Sequence, residues 1–141
     1  MASVGQKDTG VELLIRSALH KIGLRYRLHD RSMQGSPDLV FASYHAVVFV
    51  HGCYWHFHGC HRSTIPETRR EFWTGKFNAN RARDKRDNGV LLKNGWRVLT
   101  IWECALRGKT ARPSFIIAQA VKTWLESSEN IGEIAGNPAT H

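Results

Sequence analysis

From the amino end, apolar positions alternate between helical and strand-like spacing. Leu13, Leu14, Ala18, Leu19 and Ile22 recur at helical spacing behind Asp8-Thr9-Gly10-Val11-Glu12. Thr9 can cap that helix, Glu12 three residues on closes a capping box, and Gly23 stops it. Arg25-Tyr26-Arg27-Leu28 reads as a short, partly exposed strand, and residues 29–37 as a loop ending in the breakers Gly35, Ser36 and Pro37. Leu39-Val40-Phe41 and Ala46 to Val50 are almost continuously apolar, as strands covered on both faces are. Pro66-Glu67-Thr68 restarts helical structure, with Phe72, Phe77, Val90, Leu91 and Leu92 on the buried side and Asn94-Gly95 at the end. Trp96 to Trp102 is a third core strand with Glu103-Cys104 at its end. Pro113 to Glu126 is an amphipathic helix that buries Phe115, Ile116, Ile117, Ala120, Val121 and Trp124. From Ser127 onward the residues are small and polar with Gly and Pro, so 128–141 is expected to be a flexible tail. The expectation is one α/β domain over 1–141, with no repeat and no linker.

A hairpin centred near residues 43 and 44 gives the two apolar runs pairing partners that sum to about 87 or 88. Asp38 then lies across from Phe49 or Val50, with His51 one step beyond. Pro37-Asp38 followed on the next strand by an acid-x-Lys triplet marks the PD-(D/E)xK nucleases. Here the triplet position reads Phe49-Val50-His51, so the second acid is missing and His51 stands where the lysine would. The plain alternative makes Asp38 a turn acid after proline.

The apolar run leading to Val50 turns abruptly into a loop holding four histidines (His51, His56, His58, His61), two cysteines and Tyr54-Trp55. Cys53-x4-His58-x-Cys60, with Cys104 a helix and a strand away, supplies three sulfurs and one imidazole, a tetrahedral set suited to Zn2+. His51, His56 and His61 compete with His58 for the imidazole position. A closed four-ligand site leaves no place for water, so the metal pins the loop, and remaining histidines such as His51 and His56 are free for acid–base work. Tyr54 and Trp55 are adjacent aromatics on a short loop; one faces outward, suited to base stacking or wedging, or else packs in the core.

Composition narrows the partner. Twenty Lys and Arg against twelve Asp and Glu give +8, which favours a polyanion, nucleic acid first. Lys76, Arg81, Arg83, Lys85 and Arg86 are either a solvated helix face or one that tracks phosphates. Three cysteines and no apolar leader point to a reducing cytoplasm.

The blocks PDLVF, VVFVHGCYWHFHGC, TRREFW, NRARDKRD and GWRVLTIWECALRG, in this order from Asp8 to Lys109, closely resemble the very short patch repair (Vsr) mismatch endonucleases. The resemblance implies a three-layer α/β/α fold of PD-(D/E)xK type with a central mixed sheet and a structural zinc site. It also implies an enzyme that nicks DNA 5′ of the thymine in a T·G mismatch left by deamination of 5-methylcytosine. Asp38 is then the catalytic carboxylate, holding Mg2+ with the backbone carbonyl of Val50. His56 is the general base, His51 lies close to the phosphate, and Glu12 supports through hydrogen bonds or water. The zinc ligands are Cys53, His58, Cys60 and Cys104, and Tyr54, Trp55 and Trp73 form a wedge beside the mismatch. Residues 1–7 form a short arm. The partners implied are T·G-mismatched double-stranded DNA and a mismatch-repair protein, met by a monomer at the bacterial nucleoid. Two other readings remain: a restriction-like endonuclease of the same fold, and a zinc-stabilised DNA-binding module without catalysis.

Overall fold

The computed structural model describes residues 10–52, 69–107 and 110–136. In chain order they form α1 (Gly10–Lys21), β1 (Arg27–Leu28), β2 (Leu39–Phe41), β3 (Ala46–His51), α2 (Arg70–Lys93), β4 (Arg97–Trp102), α3 (Ser114–Leu125) and β5 (Ile131–Ile134). The strands build one mixed sheet in the order β1-β2-β3-β4-β5. The first two pairings are antiparallel and the last two parallel.

β2 and β3 pair as Leu39↔Val48, Val40↔Val47 and Phe41↔Ala46, the first of the two expected registers. The turn between them is the 3-10 segment Ala42–Tyr44, closed by His45 in the left-handed region (φ 54). Side chains alternate across these strands. Leu39, Phe41, Ala46 and Val48 face a large cluster with Val11, Ile15 and Leu19 of α1 and Ile117, Val121 and Trp124 of α3. Val40, Val47, Phe49 and Val98 face the other way, against Leu91 near the end of α2. The result is an α/β fold, a mixed sheet with flanking helices. No helix among the described residues is long and apolar enough to cross a membrane.

Four expectations change. Leu13 and Leu14 are exposed, because the stripe of α1 that meets the sheet is centred on Val11, Ile15, Ala18 and Leu19. Phe72 is half-exposed, with only Phe77 and Leu91 fully buried among the apolar residues expected on that side of α2. Phe115 and Ile116 face solvent, and α3 buries Ile117, Ala118, Val121, Trp124 and Leu125. The expected tail contains β5, whose Val98↔Ile131 to Ile101↔Ile134 ladder adds a parallel edge strand. Four residues that include Gly132 and the exposed Ile131 carry little strand signal of their own; the pairing with β4 supplies it. The expected Thr9 cap, the arm over 1–7 and the helical restart at Pro66–Thr68 lie outside the described residues.

Arg97, at the start of β4, ties the last helix to the sheet. Its guanidinium donates to the carbonyls of Leu125 (2.9 Å), Trp124 (2.7 Å), Ser127 (3.0 Å) and Glu129 (3.0 Å) and stacks over the Trp124 ring at 4.4 Å. The Trp124 and Leu125 carbonyls belong to the last turn of α3, where the helix leaves carbonyls without intrahelical donors, and a cation there also suits the helix dipole. Lysine cannot reproduce this planar fork. Arg97→Ala should therefore lower unfolding stability by about 2 kcal/mol, and Arg97→Lys by a large part of that. Urea denaturation checks this; an unchanged midpoint in both variants would remove the guanidinium from the account of how α3 is held.

Candidate active site

Asp38 precedes β2, and the β2/β3 register sets it opposite Phe49. Its backbone N–H donates to the carbonyl of Val48 at 3.1 Å, and its Oδ2 accepts the Val50 N–H at 2.7 Å. Both bonds come from the same constraint, antiparallel pairing carried one residue past the strand end. A half-buried carboxylate is thereby held against the backbone of β3 at the point where the chain leaves for the histidine-rich loop.

Glu12 reaches the same place from α1 and is 1% exposed. A buried carboxylate left unpaired costs several kcal/mol, more than the roughly 1 kcal/mol a capping arrangement returns. The structure supplies partners: Glu12 Oε2 lies 2.6 Å from His29 Nε2 and 3.6 Å from Arg16 Nη1. Arg16 is one turn on along α1, where opposite charges meet. Ligand atoms of Glu12, His29 and Asp38 all lie within 4.8 Å of one another. Two carboxylates at that spacing can hold a divalent cation, oxygen donors suiting a hard ion, with the imidazole beside them.

His29 is the residue that sequence reasoning passed over, because it opens a loop read as a connector. The signal was available in the register. β1 and β2 pair as Leu28↔Leu39, so the next pair is His29 with Asp38, and the His29 N–H donates to the Asp38 carbonyl at 2.9 Å. Just beyond it, the Ser32 hydroxyl (2.5 Å) and backbone N–H (3.0 Å) donate to Asp30 and hold its carboxyl below the usual range, closing the turn.

His51, one residue beyond Val50, points to the opposite face. Val50 packs with the α1 side, whereas His51 is buried beside Phe49 and Trp102, its Nδ1 3.9 Å from Asp84 Oδ2 on α2. His51, Trp102 and Asp84 border a cavity of about 590 Å³ that Arg81 and Lys85 of α2 also line. Asp38 and His51 therefore flank the same strand end from different sides. Trp73 lies half-buried in the first turns of α2, edge-on to Phe72 (5.3 Å) and tilted against Phe77 (6.0 Å).

Cys104 follows β4 in a 3-10 turn and is buried with Trp102 and Ala135. The Gly136 N–H donates to its Sγ at 3.4 Å, a contact that favours a thiolate. Parallel pairing sets His51 opposite Trp102, so the chain departs β3 at the end of the sheet that carries Cys104. The other residues expected at the site, Cys53, Tyr54, Trp55, His56, His58 and Cys60, lie outside the described residues.

The chain is similar to several known proteins. The family described as DNA mismatch endonuclease Vsr matches residues 1–62. A type II nicking enzyme, V.XorIIP of Xanthomonas oryzae pv. oryzae, is 48% identical over 106 residues, 75% of this chain and 78% of that protein. The DNA mismatch endonuclease Vsr of Escherichia coli is 41% identical over 125 residues, 89% of this chain and 80% of that protein. The type II nicking enzyme V.NmeAIP of Neisseria meningitidis is 39% identical over 109 residues, 77% of this chain and 78% of that protein.

The carboxylate of Asp38 both braces β3 and offers a ligand, and one substitution separates the two roles. Asp38→Asn keeps an oxygen for the Val50 N–H but loses the charge. Stability should move by about 1 kcal/mol or less, while Mn2+ binding, followed by electron paramagnetic resonance, should weaken by at least about tenfold. Undiminished Mn2+ binding would take the ion away from Asp38.

Proposed function

This chain belongs to the Vsr family of DNA mismatch endonucleases, and we propose that it nicks duplex DNA 5′ of the thymine in T·G mismatches arising from 5-methylcytosine deamination. The observation that carries the reading is the Asp38 carboxylate fixed to the Val50 backbone where β3 gives way to the histidine-rich loop. The mixed sheet with its flanking helices is the core of a single nuclease domain, with the three-layer α/β/α arrangement of the PD-(D/E)xK type.

Asp38 and the Val50 carbonyl hold Mg2+ at this strand end, and the convergence of Asp38 with Glu12 and His29 supports a cation there. When bound, Mg2+ supplies positive charge that stabilises the scissile phosphate and the departing oxygen. His56 accepts the proton of the attacking water. His51 lies near the phosphate, its ring steadied from α2 by Asp84. Glu12, buried and paired with Arg16 and His29, supports the site through a hydrogen-bond or water network. Tyr54, Trp55 and Trp73 wedge the duplex beside the mismatch, where unstacking costs less than in intact DNA. The exposed Arg81 and Lys85 beside His51 suit the phosphate backbone.

Cys53, His58, Cys60 and Cys104 hold Zn2+ and so pin the loop that carries His56 and the wedge. A backbone N–H directed at the Cys104 sulfur supports a ligand role there. The enzyme acts as a monomer in the cytoplasm, on mismatched DNA, with a mismatch-repair protein as partner.

The test is a Mg2+-dependent nicking assay on matched and T·G-mismatched duplexes, with the cut mapped and Asp38→Ala run in parallel. We expect one nick 5′ of the mismatched T, reduced at least about 1,000-fold in the variant. Equal cutting of matched DNA would move the target to the restriction-like reading. Binding of the mismatch without any cut would leave a DNA-binding module. Protein purified without added metal should contain about one zinc per chain, and its removal by a chelator should abolish nicking together with much of the thermal stability. Zinc-free protein that folds and cuts normally would remove the metal from the loop.

A further inference from the structure

We infer that His29 is a positioning residue of this site: its Nε2–H donates to Glu12 and aims that carboxylate at Asp38. The inference rests on the reading of Asp38 as the metal-binding acid. Two contacts made by one residue carry it. Through its backbone, His29 is paired with Asp38, N–H to carbonyl at 2.9 Å, as the continuation of the β1/β2 ladder. Through its side chain it meets Glu12 Oε2 at 2.6 Å. One residue thus links the acid delivered by α1 to the acid delivered by β2, although 26 positions separate these two in the chain (38 minus 12).

The backbone is bent to achieve this. His29 has φ 45, in the left-handed region, an uncommon conformation for a residue with a side chain. The bend falls where the chain turns out of β1, so the ladder to Asp38 and the reach to Glu12 are satisfied together. The His29 side chain is mostly buried, as is Glu12, so water does not replace the bond readily. Arg16, the other cation beside Glu12, is farther away at 3.6 Å and lies on the same helix. It can neutralise the carboxylate but cannot register α1 against β2. A 2.6 Å contact between an imidazole nitrogen and a carboxylate oxygen needs a proton between them, which makes Nε2 the protonated ring nitrogen. Groups that orient the residues of a metal site in this way are worth about 10- to 100-fold in ion affinity or activity.

The choice of substitutions separates positioning from bulk packing. His29→Gln places an amide N–H near the Nε2 position; His29→Leu keeps the volume and removes the donor. We expect His29→Gln to nick T·G duplex with kcat within about threefold of wild type, and His29→Leu to lose about 10- to 100-fold in kcat with KM for DNA unchanged. In a Glu12→Gln background, His29→Leu should cost nothing further. Equal loss in both His29 variants, loss confined to KM, or full additivity with Glu12→Gln would overturn the proposal.

Two readouts do not depend on nicking. Mn2+ affinity should be retained in His29→Gln and fall about tenfold in His29→Leu. The Nε2–H proton of His29 should be visible by NMR in the wild-type protein and vanish in Glu12→Ala. Its absence from the wild type, or its persistence without Glu12, would sink the hydrogen bond itself. Should wild-type protein fail to nick T·G duplex, the functional reading falls, and these two readouts still decide whether His29 aims Glu12. If His29→Leu does not fold by circular dichroism, His29→Gln and the wild-type NMR signal carry the decision.

Discussion

The pairing of β3 with two neighbours of opposite sense is the constraint on which the rest of the structure depends. Its antiparallel edge fixes Asp38 against Val50, and its parallel edge fixes His51 against Trp102. A slip of one residue on either side would turn every side chain of the strand to the other face. Because both faces of β3 are covered, a slip would force Val47 and Phe49 to exchange places with Ala46 and Val48 in cores packed for the other pair. The cores on the two faces therefore position the chemistry, and apolar packing holds a carboxylate in place that no local propensity would hold.

At this strand end, groups arrive from four elements: Glu12 from α1, His29 from the exit of β1, Asp38 from the entry to β2, and Asp84 from α2 beside His51. The acids and His29 gather on one side and the His51–Asp84 pair on the other. The cationic residues Arg81 and Lys85 border the second group together with Asp84 and Glu133.

Much of this was legible in the chain. The β2/β3 pairing follows to within one residue from two apolar runs and a short polar turn, and that brings Asp38 across from Phe49 or Val50. The blocks around Pro37-Asp38, the cysteine–histidine loop and Trp96 to Arg107 are enough to indicate the family that the comparisons then show. Less legible was which side of each helix is buried. Leu13, Leu14, Phe115 and Ile116 are as apolar as their buried neighbours, and only the docked sheet decides which stripe it covers. β5 was also hidden, since a four-residue edge strand takes its identity from the strand it joins.

His29 and Glu12 show where the division falls. By itself the sequence determined the class of fold, the basic character, the central hairpin and the acid at its open end. Those features follow from local periodicity and from contacts a few residues apart. Tertiary structure alone decided that a capping-box glutamate is buried, that a loop histidine meets it, and that Asp84 of α2 comes to lie beside His51. Each of these depends on the placement of α1 and α2 against the sheet, set by the summed packing of both cores rather than by any stretch of chain. Periodicity names the face of a strand or helix; only the docking of faces brings distant polar groups within hydrogen-bond reach.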